Sequence, residues 1–203
     1  MGVKERKERQ KENLRQEILD AASEMFANEG YANVSMRKIA EKIEYSPTTI
    51  YLYFKDKNDL LNQICEDTFG KLYRKVSAIR EENENPLESL RKGIRAYVEF
   101  GLEHPNHYEV TFITPIMEYL GEEIHPYEGS MGQRTFNFLR SQVADCVAEG
   151  YFKKGDIDAM SQTMWAAMHG LTSILIGHKD FPFVEISRLI DCMTEMMIKG
   201  MSD

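Results

Sequence analysis

Apolar residues recur along this chain at steps of three and four, and strand-like alternation is nearly missing, so the pattern predicts an all-α protein of about nine helices. Leu14, Ile18, Ala21, Ala22, Met25 and Phe26 form the first stripe, on a helix expected over residues 8–28, and Gly30 is placed to end it in a left-handed conformation. Ser35 is an N-cap for a short helix over 36–43 that turns Met36, Ile39, Ala40 and Ile43 inward. Only Glu44 and Tyr45 then intervene before Ser46, a second N-cap, and Pro47, which suits a first helical position. That helix is expected to reach about residue 54, with Pro47, Ile50 and Phe54 inward. Asp56 caps a longer one, 57–80, whose stripe is Leu60, Leu61, Ile64, Phe69, Leu72, Val76 and Ile79.

The polar run 80–85 ends the long helix, and Asn85-Pro86-Leu87-Glu88 has the makings of a new start. Further helices are expected over 86–103, 105–120 with a kink at Pro115, 128–149, 156–178 and 183–199. The pattern therefore predicts a three-helix head followed by a larger antiparallel helical domain. We divide them as residues 1–60 and 61–203, with the helix 57–80 as the link.

With 203 residues, 42% of them hydrophobic and 29% charged, the chain belongs with ordinary globular proteins and can hold two modest cores. No apolar leader segment opens it, and Arg6 stands where a myristoylation signal needs Ser or Thr, so the expected location is the cytoplasm. Cys65, Cys146 and Cys192 are far apart and each falls in a helical apolar pattern, which suggests buried reduced thiols, neither disulfides nor a metal knuckle.

Net charge −8 argues against a nucleic-acid partner until it is located. Residues 1–60 are neutral, with 11 basic and 11 acidic side chains, and the whole acidic excess belongs to the remainder. The first fifteen residues hold six basic and three acidic side chains, a positive arm suited to a phosphate backbone.

Two short helices joined by a tight turn and braced by longer ones make a helix-turn-helix, and the outward face of the second is then the informative surface. Thr48, Thr49, Leu52 and Tyr53 remain outward, with Tyr51 at the rim. Hydroxyls suit phosphates or base edges, an exposed leucine suits a thymine methyl, and the helix start at Ser46 and Pro47 favours phosphate. The alternative is a plain helical hairpin with Tyr51, Tyr53 and Phe54 as core.

In register, Ile18, Ala21-Ala22, Phe26, Gly30-Tyr31, Ile39-Ala40, Ser46, Ile50-Tyr51, Tyr53-Phe54, Lys55, Lys57 and Leu60 resemble the N-terminal pattern of the TetR family of transcriptional regulators. The resemblance implies a DNA-binding repressor, with Arg37, Thr48, Thr49, Tyr51, Tyr53 and Lys57 at the operator, the tyrosines and lysine chiefly at phosphates. Glu44 departs from the family, which usually has glycine in this turn, and strain is expected if its φ is positive. Adding the residues read from the helix face, the expected DNA set is Arg37, Ser46, Pro47, Thr48, Thr49, Tyr51, Leu52, Tyr53 and Lys57.

The later residues resemble the family more weakly, through His104-Pro105-Asn106-His107-Tyr108 and through Trp165-x-x-x-His169-Gly170, a signature of one TetR-like subgroup. Trp165 and His169 share a helix face, and packing explains them better than ligand contact does. Methionines and aromatics are frequent here, and such side chains can line an adaptable apolar pocket. The candidate ligand set is Tyr97, Phe100, His107, Tyr108, Phe112, Met117, Phe136, Met164, Trp165, Met168 and His169. Most methionines at helical spacing read first as core.

No nucleophile motif, phosphate-cradling loop or paired carboxylates stand out, so no enzyme activity, cofactor or metal is expected. The expected partners are operator DNA, a small hydrophobic effector and a second copy, joined through the two apolar C-terminal helices. Two alternatives stay open: a constitutive DNA-binding protein that recruits a protein partner, and a metal-responsive regulator using His104 and His107.

Overall fold

A computed structural model describes residues 2–114, 119 and 127–202, and every regular element among them is helical. In chain order these are α1 (Val3–Glu29), a 3-10 turn (Tyr31–Asn33), α2 (Met36–Lys42), α3 (Pro47–Tyr51) and α4 (Lys57–Glu81). There follow α5 (Pro86–Glu103), α6 (Pro105–Tyr108) continued by a π-helical turn (Glu109–Ile113), α7 (Met131–Ala148), α8 (Ile157–Gly177) and α9 (Ile186–Met201). The expected caps are in place. Ser35, Ser46, Asp56, Asn85 and Asp156 each accept a backbone N–H from the first turn that follows.

The chain packs as two compact units, one of residues Met1–Thr68 and Asn106–Tyr127, the other of Phe69–Pro105 and Glu128–Asp203. This packing differs from a division at residue 60. The first turns of α4 carry Leu60, Leu61, Ile64 and Cys65 into the head's core, and Val110 of the π turn enters the same core. Helical periodicity reveals a buried stripe but not the neighbour it faces, so the return of residues 106–114 to the head is a tertiary fact.

That core is built from Ile18, Leu19, Ala22, Met25 and Phe26 of α1, Met36, Ile39 and Ala40 of α2, and Ile50 and Phe54 at α3. Three local expectations are corrected. Pro47 is exposed, not inward; α3 is regular only to Tyr51; and α1 begins near residue 3, not 8. The early start has a local cause, because the Gly2 N–H is bound by the Glu5 carboxylate at 2.8 Å and the following residues are strong helix formers.

In the second unit α5 lies against α7, α8 and α9. Leu90, Ile94, Tyr97, Val98 and Phe100 of α5 are buried with Val143, Met164, Met168, Ile190 and Ile198. A buried Ser89–Gln142 hydrogen bond of 3.2 Å ties α5 to α7, and Arg91 and Arg95 reach Glu195 and Asp191 of α9. Cys65 and Cys146 are buried, and burial pushes their thiols up to about 12 and about 11, which keeps them unreactive. Cys192 is the exception to the expected burial: it is exposed, because α9 presents one apolar side to solvent.

Candidate nucleic-acid interface

The turn between α2 and α3 sets the direction of α3. Glu44 has φ 60°, the one positive value at a non-glycine among the described residues. Around it the Tyr45 N–H donates to the Ala40 carbonyl at 2.9 Å and the Glu44 N–H to Glu41 at 3.2 Å, a six-to-one helix ending that demands a left-handed residue. A side chain there costs about 1 kcal/mol, partly offset by the greater unfolded-chain freedom of glycine. Glu44→Gly is expected to stabilise the chain by about 0.5–1 kcal/mol, read as a rise of a few degrees in melting temperature.

α3 itself is short. The Ser46 hydroxyl accepts the Thr49 N–H at 3.2 Å and lies 2.9 Å from the Thr49 hydroxyl, so the cap also orients Thr49. Ile50 and Phe54 are buried, which leaves Thr48 in solvent, Tyr51 55% exposed and Leu52 76% exposed. Tyr53 is half-buried, packed against the head core with its ring 6.5 Å from that of Phe54. Arg37, on the exposed side of α2, holds Glu41 at 2.9 Å; so exposed a pair is worth well under about 1 kcal/mol and releases the guanidinium easily. Tyr45, 43% exposed in the turn, joins this surface and was missed in the sequence, where an aromatic beside a cap reads as core.

Lys57 has a different place from the rest of the set. Its ammonium donates to the carbonyls of Tyr31 and Val34, both at 2.9 Å, and lies 4.1 Å from the centre of the Tyr31 ring. Partial burial lowers its pKa. Two of its three protons thus clamp the 3-10 turn onto the start of α4. Tyr31 is held as well: its hydroxyl meets Asn58, burial first and the Asp56 charge second push it up to about 12, and the Tyr119 ring lies tilted against its own with centroids 4.7 Å apart. Lys57→Met is expected to destabilise the head by about 1–3 kcal/mol, since both carbonyls lose a charged donor, and thermal denaturation measures this directly.

The candidate ligand residues divide between the units. His107, Tyr108 and Phe112 belong to the first, where His107 Nε2 lies 3.2 Å from the Asp20 carboxylate and Tyr108 stacks on Phe112 at 4.5 Å. Tyr97, Phe100, Met164 and Met168 are buried in the second. There Trp165 is 42% exposed, with Phe136 edge-on at 6.2 Å and His169 at 6.0 Å; burial lowers the His169 pKa. Met117 lies outside the described residues. The His104 ring lies tilted against that of Phe100, with centroids 4.9 Å apart, and no group of three or more His, Cys, Asp or Glu gathers among the described residues. No described helix is long and apolar enough to cross a membrane.

Two family profiles match. Residues 18–64 fit the bacterial regulatory proteins of the tetR family, and residues 90–197 fit the tetracyclin repressor-like C-terminal domain. Among curated relatives, the uncharacterized HTH-type transcriptional regulator YuxN of Bacillus subtilis is 25% identical over 204 residues, 96% of this chain and 65% of YuxN. The fatty acid metabolism regulator protein of the same species is 23% identical over 195 residues, covering 95% and 97% of the two chains. This chain spans 65% of the length of YuxN and of a second relative, YerO. Among solved structures, FadR from Bacillus subtilis in complex with stearoyl-CoA superposes with a TM-score of 0.78 at 22% identity, over 92% of this chain and 98% of that one. The helix-turn-helix register, the all-α fold and the two matched segments agree: the chain belongs to the tetR family of bacterial regulatory proteins, which are regulators and not enzymes.

Proposed function

We propose that the chain is a cytoplasmic, ligand-responsive repressor, a homodimer that occupies a palindromic operator through two copies of α3 and leaves it when a small apolar effector binds. The observation that carries this is the face of α3. Ile50 and Phe54 anchor it, while Thr48, Tyr51 and Leu52 stand in solvent. An isolated chain gains nothing from a leucine this exposed, whereas a thymine methyl would cover it. Arg37, Ser46, Pro47, Thr49 and Tyr53 complete the surface. Lys57 serves it from behind, by fixing the loop that precedes α2.

Dimerisation through α8 and α9 is supported by Trp165 and Ile174 on the first and Ile186 and Met196 on the second, all large, apolar and exposed. Met196, 70% exposed, is the most accessible of them. Met196→Asp is expected to shift the protein to a monomer in chromatography with light scattering. A wild-type chain that is itself monomeric would remove the dimer.

The effector reading is supported by the buried Tyr97, Phe100, Met164 and Met168, together with Trp165 and His169 on the same helix as the two methionines and Phe136 edge-on to Trp165. Relatives named for fatty acid metabolism make an acyl chain or its CoA thioester the first class to test. Stearoyl-CoA is expected to raise the melting temperature and to lower DNA affinity by about 5- to 150-fold, the usual range of such coupling. Free CoA is the control. A shift with no acyl compound, alongside intact DNA binding, would favour a constitutive protein.

A further inference from the structure

We propose that the helical arm at the start of α1 is a second DNA contact, whose Lys4, Lys7 and Lys11 lie along the phosphates flanking each half-site; this rests on the operator reading above. α1 is 27 residues long, but it is seated on the head only from Leu14 onward, and residues 4–13 are exposed. Residues three and four apart share a helix face. Lys4, Lys7 and Lys11 therefore continue, toward the N-terminus, the same stripe that Leu14, Ile18, Ala22 and Met25 bury against the head. Where that stripe passes the edge of the head, lysine replaces the apolar residues.

Where α1 first meets the head, it touches α4 and the segment that follows α3. Arg15, which follows Leu14, donates to Gln63 at 2.9 Å, and its guanidinium lies 5.8 Å from the centre of the ring of Phe54, three residues past the end of α3. Arg6 and Arg9 add charge on other sides of the arm. Two of the three nearby acids are engaged locally, Glu5 with the Gly2 N–H and Glu12 with Arg15 at 3.9 Å; Glu8 flanks the lysines. From Lys4 to Leu14 the helix rises about 15 Å, the length of about four base-pair steps. Double-stranded DNA is the partner that fits: a row of cations without acceptors reads phosphates and carries no base specificity.

The test compares the full chain with Lys4→Gln/Lys7→Gln/Lys11→Gln on a duplex recovered by selection from a random library, titrated across potassium chloride concentrations. The salt slope should fall by about 0.9 for each lysine that contacts a phosphate, hence by up to about five for two arms. A chain lacking residues 2–11 should lose as much, which guards against a folding defect of the triple variant. The selected consensus should stay the same. Unchanged slopes in both variants would overturn the arm while leaving the α3 reading intact, provided Tyr51→Ala still weakens binding. A wild-type chain that binds no DNA would overturn both.

Discussion

Phe54→Ala should cost the head about 3–5 kcal/mol and lower the melting temperature by about 10 °C. Phe54 is 1% exposed and belongs to the core shared by α1, α2, α3 and the start of α4. Its ring also carries the Arg15 guanidinium on one side and approaches Tyr53 on another. Removing it deletes the apolar contacts that hold the end of α3 and leaves a cavity, because Ile50 and Leu60, both fully buried, are fixed by their own helices. Operator affinity should fall too, through loss of the orientation of α3. Thermal denaturation followed by circular dichroism decides this; a drop of less than about 2 °C would mean that the junction is looser than its packing indicates.

The second large effect separates binding from folding. Thr48→Ala with Tyr51→Ala alters two exposed side chains, so stability should stay within about 0.5 kcal/mol of wild type. Binding should weaken at least a hundredfold, since each good contact to a base or phosphate is worth about 1–3 kcal/mol and two copies of α3 are affected. Fluorescence anisotropy on a selected operator duplex, with a scrambled duplex as reference, measures it. Equal losses on both duplexes would assign these residues to phosphates alone; no loss on either would place the interface elsewhere on the head.

Much of the head was legible before its structure. Ser35, Ser46 and Asp56 mark helix starts because a side-chain acceptor beside a free N–H is a local device, written within four residues. Glu44 was suspected for the same reason and has φ 60°. What stayed hidden depends on neighbours distant in the chain. The family resemblance implies a phosphate contact for Lys57, and only the approach of the 3-10 turn shows it bound to the Tyr31 and Val34 carbonyls. Pro47 lies on the inward side of a helical wheel but is exposed, since α3 and the residues after it meet the core through Ile50, Tyr53 and Phe54.

The second unit was less legible. Its apolar stripes are strong, so the helices were placed within a few residues, but an apolar side chain at helical spacing is written alike whether it faces core, effector or another copy. Met168 is buried and Met196 is 70% exposed, and nothing in their local sequence separates them. Cys192 was expected inside for the same reason and lies on the open side of α9.

Selection of operator sequences by the full-length chain from a random duplex library, followed by sequencing and a stoichiometry measurement on the recovered duplex, tests the central claim most directly. The account predicts an inverted repeat whose half-sites lie about 10 base pairs, or about 34 Å, apart or at a multiple of that turn, bound by one dimer or dimers and lost with Thr48→Ala/Tyr51→Ala. Enrichment of a single half-site bound by one chain, or no enrichment at all, would contradict it.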